Sequence, residues 1–175
     1  DEVLDLILEN ISQVVPNDTA NIMLVDGDTA RIVRCRGYQE HDSEEILLSK
    51  VFRLDDMPVL RRLKTSRQLI VVENTDVTGE WVLTPEGGWI KSYIGAPIVI
   101  RDEVVGIINV DSYQPGLYTP EHAARLKLFT DQVGTAIQNA RLYEETRRRA
   151  RQLALLNEIT HLGLASNSFV DMMNM

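Results

Sequence analysis

The residues able to do chemistry are sparse in this chain and fall into a few groups. Both tryptophans, Trp81 and Trp89, lie with Asn74 and Asp76 in the irregular stretch NTDVTGEWVLTPEGGWIKS, residues 74–92. Flat aromatic rings beside a few fixed polar groups suit the recognition of a small molecule better than bond making or breaking. The plain alternative is an Asx-type turn at Asn74–Thr75–Asp76 and two rings that fill core space. Asn109 and Asp111 end a strand-like run, and Tyr93 stands near them across a hairpin. These three are either hydrogen-bonding groups of a ligand site or ordinary polar residues at strand ends.

Catalytic groups are harder to nominate. The single cysteine, Cys35, excludes a disulfide within the chain, a multi-cysteine metal site and a thiol relay. With Val33 beside it and Arg34 and Arg36 facing the other way, it reads as a buried apolar cysteine. His41, His122 and His161 are scattered, with no partner four residues away and no carboxylates at ligand spacing, so no metal site is expected. His161 sits in HLGLAS, without the acidic residue that a phospho-acceptor box places directly after its histidine. No G-x-S-x-G, P-loop or Gly-rich dinucleotide turn is present. The domain is therefore expected to be non-enzymatic.

Charge and composition narrow the partners. A net charge of −8 and a sequence pI near 4.9 repel phosphate backbones, so no nucleic-acid partner is expected. The basic run RRRAR, 147–151, follows Glu144 and Glu145 and reads as the solvated face of a helix. No apolar run approaches the roughly 18 residues of a membrane span, and no signal peptide opens the chain, so no membrane partner is expected. One lone cysteine fits a reducing compartment, and a cytoplasmic location is expected.

With 175 residues and 44% hydrophobic content, the chain reads as one globular domain with an appendage. A chain this long buries roughly two-thirds of its unfolded surface and needs no metal or disulfide to fold. It begins in the helical pattern DEVLDLILENI and stops in another helix-like stretch, so it is expected to be a piece of a longer protein.

The elements that must position these residues follow from periodicity. Leu4, Ile7, Leu8, Ile11, Val14 and Val15 make an amphipathic helix that stops before Pro16. ANIMLVDGDTARIVRCRG is a hairpin signal. SEEILLSKV and MPVLRRLKTS read as short helices, and RQLIVVEN as a strand. In SYIGAPIVIRDEVVGIINVDS two strands flank the tip Arg101–Asp102–Glu103. Ile94, Ala96, Ile98 and Ile100 share one face of the first; Val104, Gly106, Ile108 and Val110 share one face of the second. Those apolar faces suit a covering of helices, which leaves Tyr93, Asn109 and Asp111 on the other side. Thr84–Pro85–Glu86 reads as a helix start. Thr119–Pro120–Glu121 is another, opening a helix with a core stripe at Leu126, Phe129, Val133, Ala136, Ile137 and Ala140. No proline follows Pro120, so that helix outruns one domain. Its later seam, Leu142, Arg149, Leu153, Leu156 and Thr160, has heptad spacing with polar members.

Residues 89–145, WIKSYIGAPIVIRDEVVGIINVDSYQPGLYTPEHAARLKLFTDQVGTAIQNARLYEE, resemble the GAF domains of bacterial sensor kinases and phosphodiesterases. The likeness lies in the strand with xAPI, the polar tip, xxGxxxxxS, the Thr-Pro-Glu cap and the closing AIxNAxLYxE. It implies an α/β (α+β) fold: a central antiparallel sheet of about five to six strands, with the first and last helices on one face. Short helices and loops would lie over the other face, around a ligand cavity. The expected sensory domain is 1–145, and 146–175 would be a helical linker into a further output module. Asn74, Asp76, Trp81 and Trp89 would cover the cavity, with Tyr93, Asn109 and Asp111 on its wall. The ligand is an unknown small molecule. A bilin is not expected, because the attachment cysteines of photoreceptor members lie outside the strand of Cys35. The sulfoxide reductases of this fold use more than one cysteine, and the cyclic-nucleotide signature cannot be traced. The resemblance implies a sensory module of a cytoplasmic signalling protein such as a histidine kinase, dimeric with itself through its first and last helices. The alternative is a ligand-free dimerisation scaffold whose cavity is filled by Trp81, Trp89 and Tyr93.

Overall fold

The computed structural model describes residues 2–41 and 44–173, with side chains described up to residue 152 apart from those at positions 2, 40, 41 and 141. The chain runs α1 (Glu2–Val14), β1 (Thr19–Asp26), β2 (Thr29–Arg36), α2 (Glu44–Ser49), β3 (Val51–Arg53), α3 (Pro58–Ser66), β4 (Ile70–Val72), β5 (Ser92–Ile100), β6 (Glu103–Ser112) and α4 (Pro120–Met173). Short 3-10 turns at Tyr38–His41 and Leu54–Asp56 complete it. All six strands form one sheet in the order β3-β2-β1-β6-β5-β4, and every pairing is antiparallel. The sixth strand is β3: the chain leaves its helix at Ser49, and Val51–Arg53 pairs with the edge of β2.

The residues up to Thr135 form one compact unit and those from Ala136 onward a second. In the first unit the sheet separates two apolar layers. α1 lays Ile7, Leu8 and Ile11 on β1 and β2, with Val15 buried just beyond its end. The first turns of α4 bury Leu126, Thr130 and Val133. There the helix approaches so closely that a Cβ on Gly134 would stand 3.0 Å from the carbonyl oxygen of Val99. The expected stripe stops at that point, since Ala136 and Ala140 are exposed. On this face the strands present Ile22, Ile94, Ala96, Ile98, Ile108 and Val110, all buried. The opposite layer gathers Met23, Ile32, Leu47, Val59, Leu60, Leu63, Ile70, Ile90 and Ile107 around the short helices.

Two irregularities alter the simple alternation. The β1–β2 register shifts between Ile22 and Met23, which pair with Arg34 and Ile32, so Val33 is the extra residue. Beyond it Arg34 turns to the helix side and meets Asp5 at 2.5 Å, while Cys35 faces the other layer. The β5–β6 register shifts between Ile98 and Val99, which pair with Gly106 and Val104. Val104 therefore packs with the second layer and not with Gly106, Ile108 and Val110, as strict alternation predicts.

Local chemistry explains the element ends. Pro58 occupies the first turn of α3, and Arg67 closes that helix in the left-handed region at φ 56°. Thr119 caps α4 reciprocally: its hydroxyl accepts from the His122 amide, and its own amide donates to His122 Nδ1, both at 3.3 Å. That gives His122 a structural task. In the second unit Glu145 and Arg149 pair across one helical turn at 2.6 Å. The side chains of His41, of His161 and of the heptad seam from Leu153 onward lie outside those described.

Candidate functional site

Thr19 and Asn21 on β1 stand directly opposite Asp111 and Asn109 on β6, and Tyr93 on β5 stands opposite Asp111. All five point away from α1 and α4, toward the second apolar layer. Tyr38 joins them from the turn after β2, which Gly37 enters at φ 85°. The result is one buried chain of hydrogen bonds. The Tyr93 hydroxyl donates to Asn109 Oδ1 at 2.6 Å, and Asn109 Nδ2 donates to Asn21 Oδ1 at 2.7 Å. Asn21 Nδ2 donates to the Tyr38 oxygen at 2.8 Å, and the Tyr38 hydroxyl donates to Asp111 Oδ2 at 2.6 Å. Thr19 Oγ1 adds a second donor to the same oxygen at 3.0 Å.

Burial decides the electrostatics. It pushes the Asp111 carboxyl up from 3.8 to about 6, against the pull of the Tyr38 and Thr19 hydroxyls. The Tyr38 and Tyr93 phenols lie well above their ordinary value, first from burial and then from the charge on Asp111.

This chain is the floor of a cavity of about 100 Å³. Asn21, Tyr38, Tyr93, Asn109 and Asp111 line its base; Met23, Ile32 and Leu47, with Met57, Val59 and Leu60 from the α3 region, form an apolar wall. Its cover is the segment 73–91, which has turns but no helix or strand. The expected helix start at Thr84 is a turn in which the Gly87 amide donates to both the Thr84 carbonyl and hydroxyl, at 3.1 and 3.2 Å. Thr75 ties the two ends together, its amide to the Lys91 carbonyl at 2.9 Å and its hydroxyl to the Ile90 carbonyl at 2.6 Å. Two ion pairs fasten the middle: Lys50 with Glu86 at 2.7 Å, and Arg62 with Glu80. The Lys50 ammonium holds the Glu86 carboxyl below its ordinary value.

Four of the seven residues singled out in the sequence line the cavity: Trp81, Tyr93, Asn109 and Asp111. The Trp81 and Tyr93 rings lie 5.0 Å apart at 56°. Trp89 packs on the same apolar layer, edge to Tyr38 at 6.4 Å, and its indole N–H donates to the Glu86 carbonyl at 2.9 Å. It is outside the lining. Asn74 and Asp76 are also outside it: the Asp76 amide donates to Asn74 Oδ1 at 2.9 Å in an Asx turn, and the exposed Asp76 carboxylate pairs with Lys91 at 2.8 Å. Cys35 faces the second layer without reaching the cavity, and burial followed by the charge of Glu44 pushes its thiol up to about 11. Among the described residues no group of three His, Cys, Asp or Glu is placed to hold a metal ion.

Sequence reasoning passed over Asn21, Tyr38, Thr84 and Glu86, all of which line the cavity. Asn21 carried a usable signal, since it is the one polar side chain inside the apolar run ANIMLV. Tyr38 carried none, because it leaves the strand period at Gly37.

A model of the GAF domain matches residues 1–138. The chain belongs to the GAF domain family. This GAF domain is 23% identical over 168 residues to a Caenorhabditis elegans protein described as a probable 3',5'-cyclic phosphodiesterase, pde-5, a match covering 91% of the chain and 23% of that relative. The chain thus spans less than a quarter of the relative's length. The GAF domain of a two-component sensor histidine kinase from Bacillus halodurans superposes with a TM-score of 0.65 at 17% identity, covering 82% of this chain and 97% of that one. The free methionine-R-sulfoxide reductase of Neisseria meningitidis, solved with its substrate, gives 0.68 at 15% identity, covering 82% and 81%. At these identities the likeness shows a shared fold, on which a regulatory module and an enzyme both occur. Among the described residues no helix of this GAF domain is long and apolar enough to cross a membrane.

Proposed function

We propose that this GAF domain is a non-catalytic sensory module of a signalling protein, which binds a small molecule beneath the 73–91 segment and passes its state on through α4. The observation that carries this reading is the cavity: an apolar wall over a floor of connected, buried polar groups. A domain that needed only packing would fill that space with apolar side chains, because buried polar networks stabilise less than a close-packed core. The segment fastened by Lys50, Arg62 and Thr75 is the mobile partner in this scheme, and β6 connects the floor to the rest of the sheet.

The kinase and phosphodiesterase relatives support a role in signal transduction, with a histidine kinase as the full protein in our reading and the cytoplasm as its location. Residues 1–145 act as the sensor, and the remainder as the helical linker to an output module. The further partner is a second copy, through α1 and α4, on which Val3, Leu6 and Leu128 are exposed apolar side chains. The half-buried, weakly acidic thiol of Cys35 supports the absence of a cysteine-based reaction.

Native mass spectrometry of the chain purified from its own host tests the ligand reading. The expected result is a bound species of small mass, released by denaturation. A chain that carries no adduct, and whose tryptophan fluorescence no metabolite extract perturbs, would favour the scaffold whose rings simply fill the core.

A further inference from the structure

The charged groups around the cavity are lopsided. Three carboxylates line it, from Glu80, Glu86 and Asp111, and among the described residues no lysine, arginine or histidine does. Two of the three are matched from outside the lining, Glu86 by Lys50 and Glu80 by Arg62. Asp111 is matched by no cation among the described residues. Its Oδ2 accepts from two neutral hydroxyls, and its Oδ1 accepts from no described side chain. A carboxylate only 2% exposed, with one oxygen unused and no counter-charge, is an incomplete arrangement.

The hydrogen-bond directions tell the same way. Tyr93, Tyr38 and Thr19 each commit a hydroxyl hydrogen to the floor chain, to Asn109 or Asp111. Asn21 and Asn109 each keep one further amide hydrogen, but the floor's one charged group is Asp111, so a ligand that brings a positively charged donor gains most. An anion would be placed against an uncompensated carboxylate in a space of low dielectric, where like charges repel strongly.

We propose that the cavity takes a small protonated amine, its ammonium bonded to Oδ1 of Asp111 and its apolar body held between Trp81 and the α3 wall; this rests on the ligand-binding reading above. Charge-assisted hydrogen bonds of this kind are about twice as strong as neutral ones. The rings of Trp81 and Tyr93, tilted at 56° to each other, both line the cavity, and aromatic rings attract a cation. Size follows from volume: about 100 Å³ is well below the drug-sized range, so the amine is small. The elevated carboxyl of Asp111 agrees, since a buried acid without a cation resists ionisation, and an arriving ammonium would lower it again.

Three near-isosteres separate the possibilities: benzylamine, benzyl alcohol and benzoate, titrated into the full chain at pH 7.5 with tryptophan fluorescence and calorimetry as readouts. Benzylamine should bind at least about tenfold more tightly than the alcohol, with benzoate weakest, and Asp111→Asn should abolish that ranking. If the alcohol or benzoate binds as well as the amine, the cation preference is wrong while the cavity remains a ligand site. If none of the three binds at millimolar concentration, the amine inference falls, while the ligand-binding reading still stands or falls on the native mass spectrum. Should the variant not fold, the ranking of the three compounds on the unaltered chain decides alone.

Discussion

The phenol ring of Tyr93 lies over Gly95, in the space where a side chain at that glycine would stand. A Cβ at Gly95 would collide with the Tyr93 hydroxyl and come within 2.8 Å of Leu63 Cδ1. The two residues share a face of β5, and Gly95 is the cross-strand partner of Asn109, the acceptor of the Tyr93 hydroxyl. Absence of a side chain at 95 is what lets the phenol reach the polar floor.

Gly95→Ala should therefore destabilise the domain, although alanine ordinarily costs a strand less than glycine does. Overpacking and a lost buried hydrogen bond together amount to about 2–4 kcal/mol. Chemical denaturation should show the midpoint falling, and Tyr93 should lose its bond to Asn109. A neutral or stabilising result would mean that the ring has room to move aside.

Asp111 makes stability depend on pH in a definite direction. Its folded pKa, about 6, lies above the unfolded value of 3.8, so between those values the folded state holds a proton that the unfolded state has released. Its contribution is complete below the unfolded value and is lost as pH climbs through the folded one. The span corresponds to roughly 3 kcal/mol. Asp111→Asn should flatten this part of the profile and leave the variant more stable than the parent near pH 7.5. Urea unfolding at a series of pH values checks it; parallel curves for the two proteins would contradict the assignment.

The two ion pairs of the cover should differ in worth. The Glu86 side chain is 13% exposed and that of Glu80 is 46% exposed. Lys50→Met strands a largely buried carboxylate, at a cost of about 1–2 kcal/mol, whereas Arg62→Met removes a screened surface pair worth under ~1 kcal/mol. Hydrogen exchange should also speed up for the amides of 84–90 in the first variant more than in the second. Equal effects would show that burial does not distinguish them.

The β5–β6 hairpin turns through Arg101 and Asp102, both in the left-handed region at φ 49° and 66°. Such a two-residue turn favours Asn-Gly. Replacing the pair by Arg101→Asn with Asp102→Gly should stabilise the domain by about 1 kcal/mol, read as a higher denaturant midpoint with an unchanged slope. The Arg67–Asp102 pair at 3.6 Å is exposed, so its loss offsets little.

The fold was legible because its signals are local and repeated. Period-two patterns mark β5 and β6, Pro16 ends α1, and Thr119–Pro120 opens α4. Alternation also set Tyr93, Asn109 and Asp111 on the face away from the helices. It failed where a strand carries one residue too many: the extra residues at Val33 and Val105 reverse the faces on their two sides, and neither leaves a mark in the residue types. The cover resisted reading for another reason. Trp81 and Trp89 lie in a stretch with no period, so nothing local could say that one ring would line the cavity and the other pack beside Tyr38. Asn74 and Asp76 look like ligand groups by type, yet they satisfy one another and Lys91.

The floor and the cover of the cavity come from different parts of the architecture. Apart from Tyr38, the floor belongs to β1, β5 and β6, strands in the middle of the sheet whose register is held on both sides. The cover comes from an irregular segment that no strand pairing restrains, and short helices supply much of the wall beside it. Mutational drift therefore acts on them unequally. A substitution or insertion between residues 77 and 88 reshapes the cover while the sheet still folds, whereas a change at Asn21 or Asn109 disturbs both at once. Descendants of such a domain can change what they recognise without first relearning how to fold.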